Sequence, residues 1–258
     1  MPDFLEKLVM DAKRRVSAGY YEARESVEHE PKSLKEAIKT AKGNAIIAEI
    51  KPISPSRGPL RPTIDAAEAA VKLTKGGAVA LSVLTEPDNF GGSINNLSRI
   101  RTCTRVPILM KDIIIDQKQV HAARKSGADC ILLIMSVLSD TNPALLDDLI
   151  QEAHEMRLEV LLEVHNEDEL DRALKSEADI VGVNNRNLTT LRIDLNTTPQ
   201  LLARVHNRAG KVVITESGLE SVDDVRRLRQ ATVDGFLIGS SIMLSDDMEA
   251  KVREFVLA

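Results

Sequence analysis

The sequence predicts a closed α/β barrel of eight parallel strands, each followed by a helix, the (β/α)8 or TIM barrel, with a helical extension in front of it. Three observations carry this. Short apolar runs alternate with amphipathic stretches, eight of each, and such alternation implies βαβ units and a parallel sheet. The runs are apolar throughout rather than at every second residue, so both faces of each strand are covered. The chain has 258 residues, a usual size for such a barrel, and no run leads at once into the GxGxxG turn of a dinucleotide-binding open sheet.

The elements follow in order. Residues 3–17 set Phe4, Leu5, Leu8, Val9, Ala12 and Val16 at helical spacing. Residues 33–41 read as a short helix, with Ser33 as N-cap and Glu36 three positions on, the pattern of a capping box. Residues 1–44 thus form the extension and residues 45–258 the barrel of a single domain. The strand runs are AIIAEI (45–50), AVALSVL (78–84), VPILM (106–110), CILLIM (130–135), EVLLEV (159–164), DIVGV (179–183), KVVIT (211–215) and GFLIG (235–239). The amphipathic stretches are 63–75, 93–101, 116–126, 143–156, 167–176, 198–207, 221–230 and 246–256. Gly76-Gly77 and Gly127, at helix-to-strand joints, read as helix C-caps. The charged run Asp223–Arg229 reads as a solvated helix face.

Composition excludes several classes. Apolar residues make up 43% and charged residues 28%, the balance of a soluble globular protein. The net charge of -5 offers no broad basic field for nucleic acid. Four Phe, two Tyr and no Trp leave little to stack on single-stranded bases. No run approaches the ~20 apolar residues of a membrane span. The start MPDFLEKLVMDAKRR lacks the apolar core of a signal peptide. Cys103 and Cys130 form no metal-binding spacing and read as free thiols of a cytoplasmic protein, with a disulfide between them as the alternative.

Barrels of this kind place their active site at the C-terminal ends of the strands. Those ends carry, in order, Glu49 and Lys51, Thr85, Lys111, Ser136, Glu163, Asn184, Glu216 and Ser217, then Gly239 and Ser240. A strand ending in an ion is ill suited to packing alone, because burying an unpaired charge costs on the order of several kcal/mol. Two lysines and three glutamates at one mouth suit proton transfer. Taken singly, each has a structural reading as well: a lone glutamate as an ion pair, Asp112 as part of the approach to a helix. A second lysine and a low-dielectric mouth are expected to lower a lysine's pKa toward neutrality.

The turns Glu216-Ser217-Gly218 and Gly239-Ser240-Ser241 let an anion approach backbone N–H groups, and the last two loops of such barrels often hold phosphate. Ser54 and Ser56 add hydroxyls. Ordinary tight turns use the same residues. His29, His121, His154, His165 and His206 are scattered and suggest no metal site. His165, two residues beyond Glu163, reads as a loop or capping residue, with a place at the mouth as the alternative. Ser217 has no evident histidine and aspartate partners for a hydrolase triad.

Eight segments, in order, resemble the indole-3-glycerol phosphate synthase family of tryptophan biosynthesis. They are IAEIKPISPSRG (47–58), LSVLTEPDNFGGS (81–93), PILMKDIIID (107–116), GADCILLI (127–134), LLEVHNEDEL (161–170), VGVNNRNL (181–188), ITESGL (214–219) and FLIGSSIM (236–243). The resemblance implies a (β/α)8 lyase with no metal or organic cofactor, acting on a sugar-phosphate substrate. That substrate is 1-(2-carboxyphenylamino)-1-deoxyribulose 5-phosphate, converted to indole-3-glycerol phosphate with loss of carbon dioxide and water.

By the same resemblance, Lys111 stands in the place of the general acid of ring closure. Lys51 stands near the anthranilate carboxylate, and Glu163 acts as acid or base in dehydration. Glu49, Asn184 and Glu216 match polar active-site positions, and Ser217 one near the substrate's hydroxyls and phosphate. Arg186 matches a supporting turn. Ser54, Gly218, Gly239 and Ser240 match the phosphate site, and Phe90 and Leu188 the apolar ring contacts. One departure is visible: Ile113 follows Lys111-Asp112 where the family often has Phe, so an aliphatic wall is expected against the ring.

Two other readings stay open on the residues alone. A strand-end lysine also suits a Schiff-base aldolase, or another sugar-phosphate barrel such as a phosphoribosyl isomerase. A non-catalytic phosphometabolite-binding subunit needs the phosphate site but none of the carboxylates. The Ser54–Arg61 loop is expected to close over substrate. Protein partners cannot be read from the sequence.

Overall fold

Eight parallel strands close on themselves in the computed structural model, which describes residues 3–22, 26–139, 143–205 and 207–258. They are β1 (Ile46–Ile50), β2 (Ala80–Leu84), β3 (Ile108–Lys111), β4 (Cys130–Ile134), β5 (Glu159–Val164), β6 (Ile180–Asn184), β7 (Val212–Glu216) and β8 (Gly235–Ile238). Ile46 of β1 stands opposite Phe236 of β8, and Ile47 opposite Ala80 of β2, which completes the ring. Every residue of β1, β2, β4, β6, β7 and β8 is buried. That is the two-sided burial expected of continuous β-branched and aliphatic runs.

Two helices precede the barrel, α1 (Phe4–Ser17) and α2 (Leu34–Lys39). The outer ring is α3 (Ala66–Lys75), α4 (Asn95–Arg101), α5 (Gln117–Lys125), α6 (Pro143–Glu155), α7 (Glu167–Lys175), α8 (Thr197–Leu202), α9 (Val222–Arg229) and α10 (Met248–Val256). Side-chain N-caps start most of them: Asp65, Asp116, Asn166, Ser221 and Asp247 each accept a backbone N–H of the first turn. Gly77 and Gly127 have φ of +101° and +93° just beyond α3 and α5, the left-handed geometry a C-cap glycine supplies. On α9 only Val225 and Leu228 are buried, and its charged run faces solvent.

Two expectations need correction. The stretch 198–207 is helical only to Leu202, since beyond it the described residues offer just the half-buried Val205 as an apolar anchor. His206 lies outside the described residues. Ser33 does cap α2, accepting from the N–H of Glu36, but the reciprocal half of the capping box does not form. The Ser33 hydroxyl instead donates to Glu159 at the start of β5, and Lys35 N–H donates to the same carboxylate at 3.0 Å.

The extension runs down the outside of the barrel. At one end Phe4 and Leu8 of α1 reach the C-terminal mouth. At the other, Lys32 N–H meets Asp129 and α2 meets Glu159, at the starts of β4 and β5. Leu8, Ala12, Tyr21, Leu34 and Ile38 join the same buried apolar cluster as the strands.

A repeated device sets the register at the N-terminal face. Asp129, just before β4, accepts the backbone N–H of Ile108 in β3 at 2.8 Å. Asp179, just before β6, accepts that of Val160 in β5 at 2.9 Å, and Asp234, just before β8, that of Val213 in β7 at 2.7 Å. An aspartate ahead of an even-numbered strand thus ties down the preceding strand, with Val79 in that place before β2. Both cysteines are free thiols, Cys103 exposed and Cys130 buried. Among the described residues no helix is long and apolar enough to cross a membrane.

Candidate active site

At the opposite face the strand ends surround a cavity of about 1060 Å³, its open mouth included. Of the site residues expected from the sequence, Glu49, Lys51, Ser54, Phe90, Lys111, Glu163, Asn184, Arg186, Leu188, Glu216, Ser217, Gly218, Gly239 and Ser240 line it, whereas Ser56 is exposed and reaches the Ser54 hydroxyl, 3.3 Å away. Of the other strand-end groups, Thr85 and Ser136 do not line it. Thr85 turns its hydroxyl to Asp112 at 2.5 Å, and Ser136 has moved off the strand into a short helix, Met135–Ser139.

Lys111, at the last position of β3, is the hub. Its Nζ pairs with Glu216 Oε2 at the end of β7, and stands 3.6 Å from Glu163 Oε2 and 4.0 Å from Glu49 Oε2. Burial alone would favour the neutral amine. The carboxylates of Glu216, Glu163 and Glu49 more than offset it and hold the ammonium well above the ordinary lysine pKa. The expected depression toward neutrality is therefore corrected: all three glutamates of the mouth stand within 4.0 Å of the Lys111 ammonium, and their charge outweighs burial. Lys51 pairs with Glu49 Oε1 at 2.6 Å.

The three glutamates differ in charge state. Glu163 is buried, which raises its pKa, but Lys111, His165 and Asn184 outweigh burial and hold it at about 2. Asn184 Nδ2 donates to its Oε1 at 3.0 Å. In Glu216 burial wins over Lys111, and the pKa is raised to about 7. Its Oε1 is buried without a hydrogen-bond partner. Glu49 stays below the usual range because Lys51 and Lys111 together overcome its burial. The mouth thus holds an ammonium, two carboxylates and a third carboxyl that burial makes easier to protonate, a set that can both donate and accept protons.

The phosphate-side turns are held from behind. Ser217 has φ of +69°, a left-handed conformation uncommon for a residue with a Cβ. Asn185 Nδ2 secures that turn through the carbonyls of Glu216 and Ser217, both at 3.1 Å. Its Oδ1 accepts from the Thr198 hydroxyl at 2.8 Å. Gly218 has φ of +86°, and a Cβ there would meet Ile193 at 2.5 Å.

Sequence reasoning missed several lining residues. Phe4 and Leu8 come from the extension, and Arg57 and Glu220 pair across the mouth between the first and seventh loops. Glu86 is fully buried; it caps the short helix Pro87–Phe90 and binds Arg15 of α1 at 2.7 Å. Asp112, beside Lys111, accepts from Thr85 and from Tyr21 at 3.0 Å, with Arg15 3.7 Å away. These links join residues distant in the chain, so no local motif announces them. Asp112 is more than a helix approach: with Glu86 it docks α1 beside the site. Ile113 lines the cavity as an aliphatic wall. His165 sits behind Glu163, with Nε2 3.2 Å from Glu163 Oε1. Among the described residues no cluster of three or more histidine, cysteine or acidic side chains is arranged to hold a metal.

The comparisons with known proteins agree with one another. A family model described as indole-3-glycerol phosphate synthase matches residues 5–255. An indole-3-glycerol phosphate synthase of Koribacter versatilis is 40% identical over 99% of this chain and 100% of its own. One of Bordetella pertussis is 42% identical over 91% of this chain and 87% of its own. A solved structure of 3-hexulose-6-phosphate synthase superposes with a TM-score of 0.63 at 17% identity, covering 83% of this chain and all of that one, which is a likeness of fold.

Proposed function

The chain belongs to the indole-3-glycerol phosphate synthase family, and on that premise we propose how its strand-end side chains divide the family's chemistry. It is an enzyme, a decarboxylating lyase of tryptophan biosynthesis acting on a small phosphorylated substrate. The reaction closes a ring onto a ketose carbonyl, releases carbon dioxide and then expels water.

Lys111 is the acid of ring closure. As the aryl carbon attacks, the carbonyl oxygen becomes an alkoxide, which is more basic than any ammonium. An ammonium fixed in a low-dielectric mouth stabilises that charge before transferring the proton. The surrounding carboxylates favour this role, since they keep the donor charged. Lys51, paired only with Glu49 among the described residues, holds the substrate carboxylate until carbon dioxide leaves. Restored aromaticity drives that loss. Dehydration then needs a base for one proton of the ring methylene beside the nitrogen, since the indole keeps its N–H, and an acid for the departing hydroxyl. Glu163, ionised at rest, takes the first task, and an ammonium at the same mouth takes the second.

Ser54, Ser217, Gly218, Gly239 and Ser240 receive the phosphate, while Phe90, Leu188 and Ile113 contact the ring. The Ser54–Arg61 loop closes over the bound molecule, a reading supported by the reach of Arg57 across the mouth to Glu220. The protein acts in the cytoplasm, and its extension and barrel make one domain. Nucleic acid and membranes have no part in its action.

The meeting of Lys111, Glu163 and Glu216 within one ion-pair network carries this reading. Replacing Lys111 with Ala should lower turnover by about 10²-fold or more with the fold intact, because acid catalysis contributes about 10²–10⁴-fold. Indole fluorescence from the carboxyphenylamino substrate measures it. A variant that forms product at the wild-type rate removes Lys111 from the mechanism.

A further inference from the structure

His165 has no task in the chemistry above, yet it is buried against it. Its side chain is 13% exposed and sits between two carboxylates. Nε2 lies 3.2 Å from Glu163 Oε1, and Nδ1 lies 3.4 Å from Glu169 Oε2 on α7. Both are ion-pair distances without hydrogen-bond alignment. A neutral imidazole would turn one nitrogen lone pair toward a carboxylate oxygen, which is repulsive. Only the doubly protonated ring suits both neighbours.

The outer carboxylate is built to stay where it is. Asn166 caps α7 by accepting from Glu169 N–H at 2.9 Å, and donates Nδ2 to Glu169 Oε1 at 2.7 Å. Glu169 Oε2 also accepts the backbone N–H of His165 at 2.8 Å. The short helix Met135–Ser139, which also packs on β5 and α7, has no titratable side chain. Among the described residues, the charged groups around the ring are Glu163 and Glu169, with Lys111 beyond Glu163.

We propose that His165 is a positioning residue for Glu163: an imidazolium clamped between Glu163 and Glu169 that sets the orientation and charge of the carboxylate facing Lys111. The inference deepens the function proposed above and rests on Glu163 acting there. Lys111 and Asn184 hold Glu163 from the cavity side, and His165 holds it from behind. Without that rear charge, Glu163 is free to rotate toward Lys111 and gains a proton more readily. The two carboxylates overcome the burial of the ring and raise its pKa to about 10, so the clamp persists across neutral pH.

The test uses the full chain with His165→Gln, Glu169→Gln and Glu163→Gln. His165→Gln keeps a hydrogen-bond donor but no charge. Its kcat should fall about 10–10²-fold, the scale of a misplaced reacting group, with KM little changed. The acid limb of its pH profile should move up by about 1 pH unit or more, because a carboxylate that loses a nearby cation titrates higher. In Glu169→Gln the imidazolium is less stabilised, so activity should be lost from the alkaline side at a lower pH than in wild type.

A direct measurement needs no variant. Nitrogen-15 spectra of histidine-labelled wild type should show one ring still doubly protonated at about pH 8.5, two units above an ordinary histidine. All rings neutral at that pH would overturn the proposal, as would wild-type kcat and an unmoved acid limb in folded His165→Gln. A fully active Glu163→Gln would instead overturn the role given to Glu163. An impaired Glu163→Gln beside a normal His165→Gln would overturn the clamp alone.

Discussion

A Cβ at position 182 would stand 2.8 Å from Oε1 of Glu216, and one at position 239 would stand 2.5 Å from Oε1 of Glu49. Gly182 lies within β6 and Gly239 lines the cavity, and both leave space that a carboxylate occupies. Gly182→Ala should therefore push Glu216 away from Lys111. We expect a loss of about 1–3 kcal/mol, the usual cost of overpacking, together with lower turnover. Shortening the acid in the same chain, Gly182→Ala with Glu216→Asp, should recover the melting temperature but not the activity. A single variant with wild-type stability would show that the strand yields instead. Glu163 allows a second test at this scale. Its folded pKa of about 2 lies below the ordinary 4.5 of the free side chain. The stability it contributes is present above about pH 4.5 and is lost as the pH falls toward 2. The gap in melting temperature between wild type and Glu163→Gln should accordingly narrow between pH 5 and pH 3; a constant gap would contradict the ion pairing. Glu163 and Lys111 were visible in the sequence as polar ends of apolar runs, and so was the number of charges at the mouth. What was not visible was how close those charges stand, and for Lys111 that closeness reversed the expected direction of the pKa.

Helix α1 shows the same limit one scale up. Its apolar spacing and its N-cap Asp3 are local, so the helix itself was legible. Its place was not, because its partners Glu86 and Asp112 stand 71 and 97 positions beyond Arg15 in the chain. Arg15 is 5% exposed, and its NH1 contacts Glu86 at 2.7 Å and Asp88 at 2.8 Å. Tyr21 donates to Asp112 beside it. Breaking such a buried pair from one side costs about 3–5 kcal/mol, since the remaining charge stays buried. Arg15→Ala should therefore expose α1: amide exchange over residues 4–17 should rise well before global unfolding. Because Phe4 and Leu8 form part of the cavity wall, KM should rise with it. Amides as protected as in wild type would mean that apolar packing alone holds the helix. The strands were easier, since two-sided burial writes itself as a continuous apolar run. The outer helices were legible to within a few residues, except where the apolar stripe of α8 ended early.

Across the whole molecule the ionisable groups at the strand ends divide between the two faces of the barrel. At the C-terminal face they meet around a cavity, with one carboxyl oxygen left unpartnered. At the N-terminal face they are saturated with backbone donors. Asp129 is the extreme case: 1% exposed, it accepts from Ile108 N–H, Lys32 N–H and Arg101 NH1, and lies 3.1 Å from His29. Asp179 and Asp234 repeat the strand contact with side chains 24% and 40% exposed. The repeat pairs each of these even strands with its predecessor and offers a ligand nothing, which fits a face that serves stability. Substituting Asn in turn should separate the two roles. Asp129→Asn strands the Arg101 guanidinium, whose side chain is 5% exposed, and should cost about 3–5 kcal/mol. Asp179→Asn and Asp234→Asn should cost progressively less, because water reaches both side chains and replaces the lost bonds. Turnover per folded molecule should be unchanged in all three, measured below their melting temperatures. If Asp129→Asn lowered kcat while remaining fully folded, strain at one face would be reaching Lys111 through β3, the strand that both residues share: Asp129 holds its first N–H, and Lys111 is its last residue.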